Sequence, residues 1–220
     1  MKVLMTFGGT REPIDGVRFL TNFSTGQTGS FIADDLHSRG MDVTCLYAQG
    51  ALTPISTEIK KSQFESTADL NQKLKRILSE ESFDAVIHLA AVSDFRVSEI
   101  QTLDRQTIPA HHKIPSDQEV WLRLTPNPKI LPQLKKYSRH PKTVVVGFKL
   151  TSGQSESERK AAIEKISLIP TVDYIVHNDL ESIKDQTHPY RIFKKQDSVC
   201  EGQTLSRLSR DLFTLLGATQ

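Results

Sequence analysis

The sequence predicts an α/β protein, a doubly wound and mostly parallel sheet with helices on both faces, folded as one domain over residues 1–220. Three observations carry this. Short apolar runs at 3–5, 43–48, 84–90, 143–148 and 173–177 have the length and composition of buried strands. The segments between them return an apolar residue every three or four positions, the spacing of one helix face. The first run passes straight into Gly8 and Gly9, a small-residue turn of the kind that leads from a strand towards a helix. At 220 residues the chain is long enough to bury one sizeable core.

Each element follows in order. After the first strand, a helix should begin between Ser24 and Gly29, bury Phe31, Ile32 and Leu36, and stop at Gly40. The second strand covers 43–48, residues 51–58 form a loop, and 59–64 make a short strand. Ser66 and Asp69 cap a helix that places Leu70, Leu74, Ile77 and Leu78 on one face. The run at 84–90 is a buried strand. Residues 120–124 and 143–148 read as two more strands of the same sheet, separated by a helix over 129–137. Ser155 and Glu158 form a capping box for the helix carrying Lys160 and Lys165. A strand at 173–177 follows, and the last helix sets Leu205, Leu208, Leu212 and Leu216 on one side.

Between 95 and 119 the pattern fails, and Arg96, Arg105, His111, His112 and Lys113 stand among Thr, Ser, Gln and Pro. A stretch of that length without periodicity in a compact domain reads as a functional lid or as a floppy insertion. It follows a strand ending near Asp94, and ligands of open α/β sheets sit at the carboxyl ends of the strands.

Composition narrows the function classes. A formal charge of +2, from 28 basic and 26 acidic side chains, leaves no basic stripe for nucleic acid. Two cysteines make neither a disulfide framework nor a metal cluster, which fits a reducing cytoplasm. No apolar run approaches the length of a membrane span, and Gly8 and Gly9 interrupt the amino end too soon for a signal peptide.

The chemistry begins at the glycines. Gly8, Gly9, Gly26 and Gly29 leave main-chain N–H groups open to an anion, and the helix that follows adds a favourable dipole. Arg11 and Arg18 stand beside these turns, with the bidentate geometry that suits a phosphate or carboxylate. The spacing is not the Gly-x-Gly-x-x-Gly dinucleotide fingerprint. The second strand ends in Gln49 and Gly50, with no acidic residue for a ribose. Asp94 ends a core strand, where a carboxylate needs a partner, a cap or a ligand.

Six blocks, in order, resemble one family: GGTREPID at 8–15 with VRFLTNFSTG at 17–26, LAAVSDF at 89–95, HKI at 112–114, PNPKIL at 126–131, VGFKL at 146–150 and VHND at 176–179. The chain is similar to the phosphopantothenoylcysteine synthetases, the phosphopantothenate-cysteine ligases of coenzyme A synthesis. The resemblance implies a Rossmann-like fold with a flexible flap at about 95–119. It implies a ligation in which 4'-phosphopantothenate and a nucleoside triphosphate form an acyl-nucleotide with loss of pyrophosphate, and L-cysteine then expels the nucleoside monophosphate. Asn22 and Lys113 match the catalytic residues, Asn22 holding the intermediate and Lys113 supplying a neutralising charge from the flap. Gly8, Gly9, Thr10, Ala90, Ala91, Asp94 and Lys113 fall to the nucleotide, as do Pro128, Lys129, Ile130 and Leu131 with their backbone N–H groups, Phe148 against the base, and Lys160 and Lys165 for the triphosphate. Arg11, Arg18, Asn22, Ser24 and Gly26 fall to the substrate.

By the same resemblance Mg²⁺ accompanies the triphosphate, CTP is favoured over ATP, and the molecule is a homodimer. The decarboxylase that many bacteria fuse upstream is expected as a separate phosphopantothenoylcysteine decarboxylase partner. The chain departs from the usual bacterial pattern at Gln27 and Thr28, where a Lys-Met pair is common, and at Pro115 and Ser116, where lysines are. Two other classes remain. Tyr190 and Lys194 have the spacing of a short-chain reductase using NAD(P), although a strand would hold them roughly 13 Å apart. A non-catalytic anion-binding module would use the glycine turns alone.

Overall fold

The computed structural model describes residues 1–109, 112–184 and 187–217, so His111 lies outside the described residues. The chain opens with β1 (Lys2–Phe7), leads into a small ribbon of β2 (Arg11–Pro13) and β3 (Phe19–Thr21), and enters α1 (Gln27–Ser38). Strands β4 (Asp42–Ala48) and β5 (Lys60–Phe64) precede α2 (Thr67–Glu80), and β6 (Ala85–His88) follows it. Next come β7 (Phe95–Thr102), β8 (Thr107–Ile108) and β9 (Val120–Pro126), then a 3₁₀ turn (Leu131–Gln133) and the single turn α3 (Leu134–Tyr137). The remainder is β10 (Val144–Thr151), α4 (Glu156–Ser167), β11 (Tyr174–Asp179), a hairpin of β12 (Tyr190–Lys194) and β13 (Asp197–Gly202), and α5 (Leu205–Gly217).

Eight strands form the main sheet in the order β13-β12-β11-β10-β6-β1-β4-β5. The neighbouring pairs from β5 to β11 are parallel, and β12 and β13 add an antiparallel edge. From β1 the chain steps outward to β4 and β5, then crosses back to β6 and moves the other way. Strand order therefore reverses between β1 and β6, where such sheets open a crevice for ligand.

Alternation along β1 builds two cores. Val3, Met5 and Phe7 face one side and pack with Ile32 and Leu36 of α1 and Leu208, Leu212 and Leu216 of α5. Leu4 faces the other and packs with Leu70, Leu74 and Leu78 of α2 and Leu134. Each fully buried leucine contributes about 2 kcal/mol of transfer free energy. The caps form as expected: Ser66 accepts from the Asp69 N–H at 3.2 Å, and Ser155 and Glu158 make the reciprocal box.

Four expectations are corrected. Phe31 is 39% exposed, because α1 turns Ile32, Ala33 and Leu36 inward instead. The segment from 95 carries two strands, β7 and β8, joined by a turn, so regular structure occupies much of the stretch expected to lack it. Strand β9 belongs not to the main sheet but to a separate three-stranded antiparallel sheet, β8-β7-β9, pairing Phe95 with Pro126 and Thr102 with Val120. The helix expected over 129–137 shrinks to a 3₁₀ turn and α3, since Pro132 removes an N–H from the ladder. Tyr190 and Lys194 lie on strand β12, and the Tyr190 hydroxyl donates to Asp211 Oδ2 at 2.6 Å. The helix that a reductase tyrosine and lysine require is therefore not formed by them.

One core residue makes stability pH-dependent. Burial at the end of β6 pushes His88 down to about 4, and its Nδ1 lies 2.7 Å from Thr6 Oγ1. The unfolded chain takes up a proton below its ordinary value near 6.5, while the folded chain resists until about 4. Stability is therefore full above that ordinary value and falls as pH drops towards 4. Denaturant midpoints measured at pH 7.5 and 4.5 should show a larger acid loss for the unaltered protein than for His88→Asn, which cannot titrate. Equal losses would place the proton elsewhere.

Candidate active site

The crevice is framed by the loops that leave β1 and β6, which continue to pair beyond their strands. Leu89 N–H donates to Thr6 O at 2.8 Å, Ala91 N–H to Gly8 O at 2.9 Å, and Thr10 N–H to Ala91 O at 3.2 Å. Ser93 N–H donates to Thr10 Oγ1 at 2.9 Å. The Ala90 N–H donates to Thr6 Oγ1 at 3.4 Å, so the amides of Ala90 and Ala91 are both consumed by the fold.

The glycines serve a related purpose. Gly8 has φ +88°, and a Cβ there would lie 2.6 Å from Ala48 Cβ; Gly26 has φ +77°, and a Cβ would lie 2.8 Å from Ala51 Cβ. Protein fills the space their missing side chains leave. At these positions glycine allows a left-handed turn and close loop packing, which corrects the expectation of clearance for an anion. Helix α1 begins on Gly26, which has no side chain to cap it, and Thr25 Oγ1 accepts from the Gln27 N–H at 3.4 Å, so the positive end of the helix dipole lies beside Ser24 and Thr25.

A buried polar hub ties these loops to α2 and to the segment after β9. Glu12 Oε1 accepts from the Thr67 N–H at 2.8 Å and from its hydroxyl at 2.6 Å. Thr67 Oγ1 lies 3.2 Å from Thr10 Oγ1 and accepts from Asn127 Nδ2 at 3.4 Å, and the same Nδ2 donates to Ser93 O at 3.1 Å. Thr10, predicted as a nucleotide contact, is buried in this hub. Glu12, Thr67 and Asn127 escaped the sequence reading, although Glu12 and Asn127 sit inside two of its blocks.

Asn22 is exposed just beyond β3, and its Nδ2 donates to Val92 O at 3.2 Å, which pins the β3 end against the loop after β6. Around it opens a pocket of about 240 Å³ lined by Gly9, Arg11, Phe19, Asn22, Ser24 and Thr25, among others. The Arg11 guanidinium stacks over the Phe19 ring at 4.6 Å from the centroid, which orients its donors while keeping its charge. Four predicted residues, Gly9, Arg11, Asn22 and Ser24, thus share one pocket.

On the far side of the β6 loop, Asp94 forms an ion pair with Lys129, both of them exposed. The Asp94 carbonyl accepts from Asn127 N–H at 2.8 Å, so 128–131 is anchored against that loop. Pro128 has no N–H to offer, which removes it from the predicted row of donors. Leu131 lies against Gly147, where a Cβ would come 2.9 Å from Leu131 Cδ2, and the half-buried Phe148 follows on β10. Asp94 and Lys129 are thus joined beside the loop after β6, while Leu131 packs on the core of Leu4 and Leu70 and Phe148 on the core of Val3, Met5 and Phe7.

Arg18 is not part of the lining of the Asn22 pocket. Its Nη1 donates to Asp15 Oδ2 at 2.7 Å and to Ile114 O at 3.2 Å, committing that nitrogen to the flap. Lys113, next to Ile114, is exposed. Three backbone N–H groups and the Arg18 guanidinium hold the Asp15 carboxyl down at about 2 despite its burial, with the Ile114 amide contributing most.

Lys160 stands apart from all of these. It lines a groove of about 950 Å³ with Arg159, His177, Asn178, Asp179 and Arg191. Helix α4 has no buried residue, which leaves that groove open between it and β11 and β12. Lys165, on the last turn of α4, is exposed and is not part of the groove lining. Among the described residues, no three His, Cys, Asp or Glu side chains gather as a metal site would need. No helix among them is long and apolar enough to cross a membrane.

Fold and site together define a class: a Rossmann-like α/β protein whose crevice, at the reversal of strand order, is bordered by a separate three-stranded flap. The family described as DNA/pantothenate metabolism flavoprotein, C-terminal domain, matches residues 1–215, and the chain belongs to that family. It is 34% identical over 181 residues to the coenzyme A biosynthesis bifunctional protein CoaBC of Thermococcus kodakarensis, which covers 82% of this chain and 42% of that protein. The chain thus spans less than half the length of that relative. The crystal structure of the DNA/pantothenate metabolism flavoprotein from Streptococcus pneumoniae aligns over 100% of both chains at 28% identity and a TM-score of 0.89. The C-terminal domain of a coenzyme A biosynthesis bifunctional protein CoaBC aligns over 99% of this chain and 94% of that one, at 25% identity and a TM-score of 0.73.

Proposed function

We propose that this chain is a phosphopantothenate-cysteine ligase of coenzyme A synthesis. The observation that carries it is the pocket of Arg11, Asn22 and Ser24 pinned to the loop after β6, with the backbone of Ile114, and hence Lys113, docked on the adjoining Asp15 turn. Membership of the family, and relatives named for coenzyme A biosynthesis and pantothenate metabolism, support the same reading.

In the first step a carboxylate oxygen of 4'-phosphopantothenate attacks the α-phosphorus of a nucleoside triphosphate, and the bond to pyrophosphate breaks. Two anions must approach, so positive charge in a partly dehydrated site lowers the barrier. Lys113 supplies it from the flap, and Arg11 holds the substrate anion. In the second step the cysteine nitrogen attacks the acyl carbon, expels the nucleoside monophosphate and loses a proton as the amide forms. Asn22 Nδ2 carries two protons: one goes to Val92 O, and the other is left for the developing oxyanion. Asp94, Lys129 and Phe148 flank the nucleotide. CTP is the favoured co-substrate and ATP the alternative. Mg²⁺ accompanies the triphosphate as its counterion. The exposed apolar side chains of Val17, Phe19, Phe23, Trp121 and Leu124 support a homodimer.

Mixed with 4'-phosphopantothenate, Mg²⁺ and CTP, but no cysteine, the protein should release close to one equivalent of pyrophosphate and stop, then resume when L-cysteine is added. Substituting ATP should slow the first phase. Release that ignores phosphopantothenate would reject the acyl-nucleotide route, and NADPH binding without pyrophosphate release would favour a reductase.

A further inference from the structure

We propose that Asp15 is a positioning residue, a latch that fastens the flap to the substrate turn and thereby sets where Lys113 stands. The role assigned to Lys113 rests on the ligase reading; the latch itself does not.

The geometry is specific. Asp15 Oδ1 accepts from the Val17 N–H at 2.8 Å and the Arg18 N–H at 2.7 Å, a closed turn between β2 and β3. Its Oδ2 accepts from Arg18 Nη1 at 2.7 Å and from the Ile114 N–H at 3.0 Å, a residue 99 positions away. Arg18 Nη1 also reaches Ile114 O at 3.2 Å. Both polar groups of Ile114 are therefore gripped, the amide by the carboxylate and the carbonyl by the guanidinium. The Asp15 side chain has no exposed surface, whereas that of Arg18 is 42% exposed. Ile114 is 6% exposed, while His112, Lys113 and Pro115 around it lie in solvent.

A buried carboxylate needs its charge compensated, and here part of that compensation comes from the flap backbone. Withdrawal of the flap would leave one oxygen of a buried anion short of a donor. The closed position is therefore favoured, and it is fixed one residue from Lys113. The same turn leads through β3 to Asn22, so one carboxylate couples the two predicted catalytic residues. Misplacing a catalytic group by about 1 Å costs roughly 10²-fold in rate.

Three measurements on the full chain test this. First, in the unaltered protein the Ile114 amide should exchange with solvent at least tenfold more slowly than that of Lys113; equal exchange would overturn the latch. Second, Asp15→Asn keeps the turn acceptor Oδ1 but places an NH₂ opposite the Ile114 N–H. It should erase that protection with little change in circular dichroism, and retained protection would overturn the proposal. Should Asp15→Asn fail to fold, Arg18→Gln, which removes only the grip on the Ile114 carbonyl side and the ion pair, should still speed Ile114 exchange. Unchanged exchange in that variant would also count against the latch. Third, Asp15→Asn should lower kcat for pyrophosphate release 10- to 100-fold, and this loss should vanish in the Lys113→Ala background. Additive losses would mean that Asp15 acts on the fold and not through Lys113. If the unaltered chain releases no pyrophosphate, the ligase reading fails, while the exchange measurements still decide the latch.

Discussion

Lys113→Ala lowers the rate of phosphopantothenate-dependent pyrophosphate release roughly 10²- to 10³-fold, with the thermal midpoint unchanged. The two halves of this expectation have different origins. Lys113 is exposed and makes no ion pair with the described residues, so its removal exposes no buried partner and opens no cavity. In the reaction its ammonium meets a carboxylate and a triphosphate being driven together. Two like charges about 4 Å apart repel by about 4 kcal/mol at an effective dielectric near 20, comparable to the rate effect expected. Because the repulsion grows as the carboxylate nears phosphorus, the loss should fall on kcat more than on KM. Lys113→Arg keeps the charge and should recover part of the rate. Full activity in Lys113→Ala would transfer the screening to another cation and remove the flap from the mechanism. No turnover by either protein would favour a module that only binds anions.

The parts of this molecule that were legible in its sequence are those whose signal is local. Strands β1, β4, β6, β10 and β11 announce themselves as apolar runs because both of their faces are covered. Helices α2 and α4 carry their caps within four residues of their first turn. Of the flap sheet, the sequence marks β9 as a strand over 120–124 but not β7, and with Trp121 64% exposed nothing local separates β9 from the strands of the main sheet. Its order comes from pairing with β7 about 25 positions earlier, which no window of sequence contains. The site divides along the same line. Asn22, Lys113 and Asp94 could be read from their blocks and lie on the crevice or its flap. Asp15, Glu12, Thr67 and Asn127 were passed over because their importance lies in partners 34 to 99 residues distant. A carboxylate in a turn reads as a turn former until the backbone that approaches it from elsewhere is known.

Gly29→Ala should destabilise the protein by about 2 kcal/mol and lower the thermal midpoint by roughly 4–8 °C. Alanine is ordinarily the better helix residue by up to about 1 kcal/mol, so the expected sign is set by packing. A Cβ at Gly29 would lie 2.7 Å from Phe7 Cδ1 and closer still to Phe7 Cβ and Cγ. Phe7 is itself fully packed in the core formed with Ile32 and Leu36, so its ring has nowhere to retreat. The first turn of α1 and the last residue of β1 are in contact only because this side chain is missing. Phe7 immediately precedes Gly8 and Gly9, so displacement of its backbone would be passed to the wall of the Asn22 pocket, and activity should fall along with stability. Gly40→Ala provides the contrast: φ is +87° there, but nothing lies within 4 Å of a Cβ. Its cost should be limited to about 1 kcal/mol of backbone strain, with activity intact. Should the two variants lose stability equally and Gly29→Ala keep full activity, the helix and strand would have to sit farther apart than this packing requires, and the coupling between core and crevice would fail.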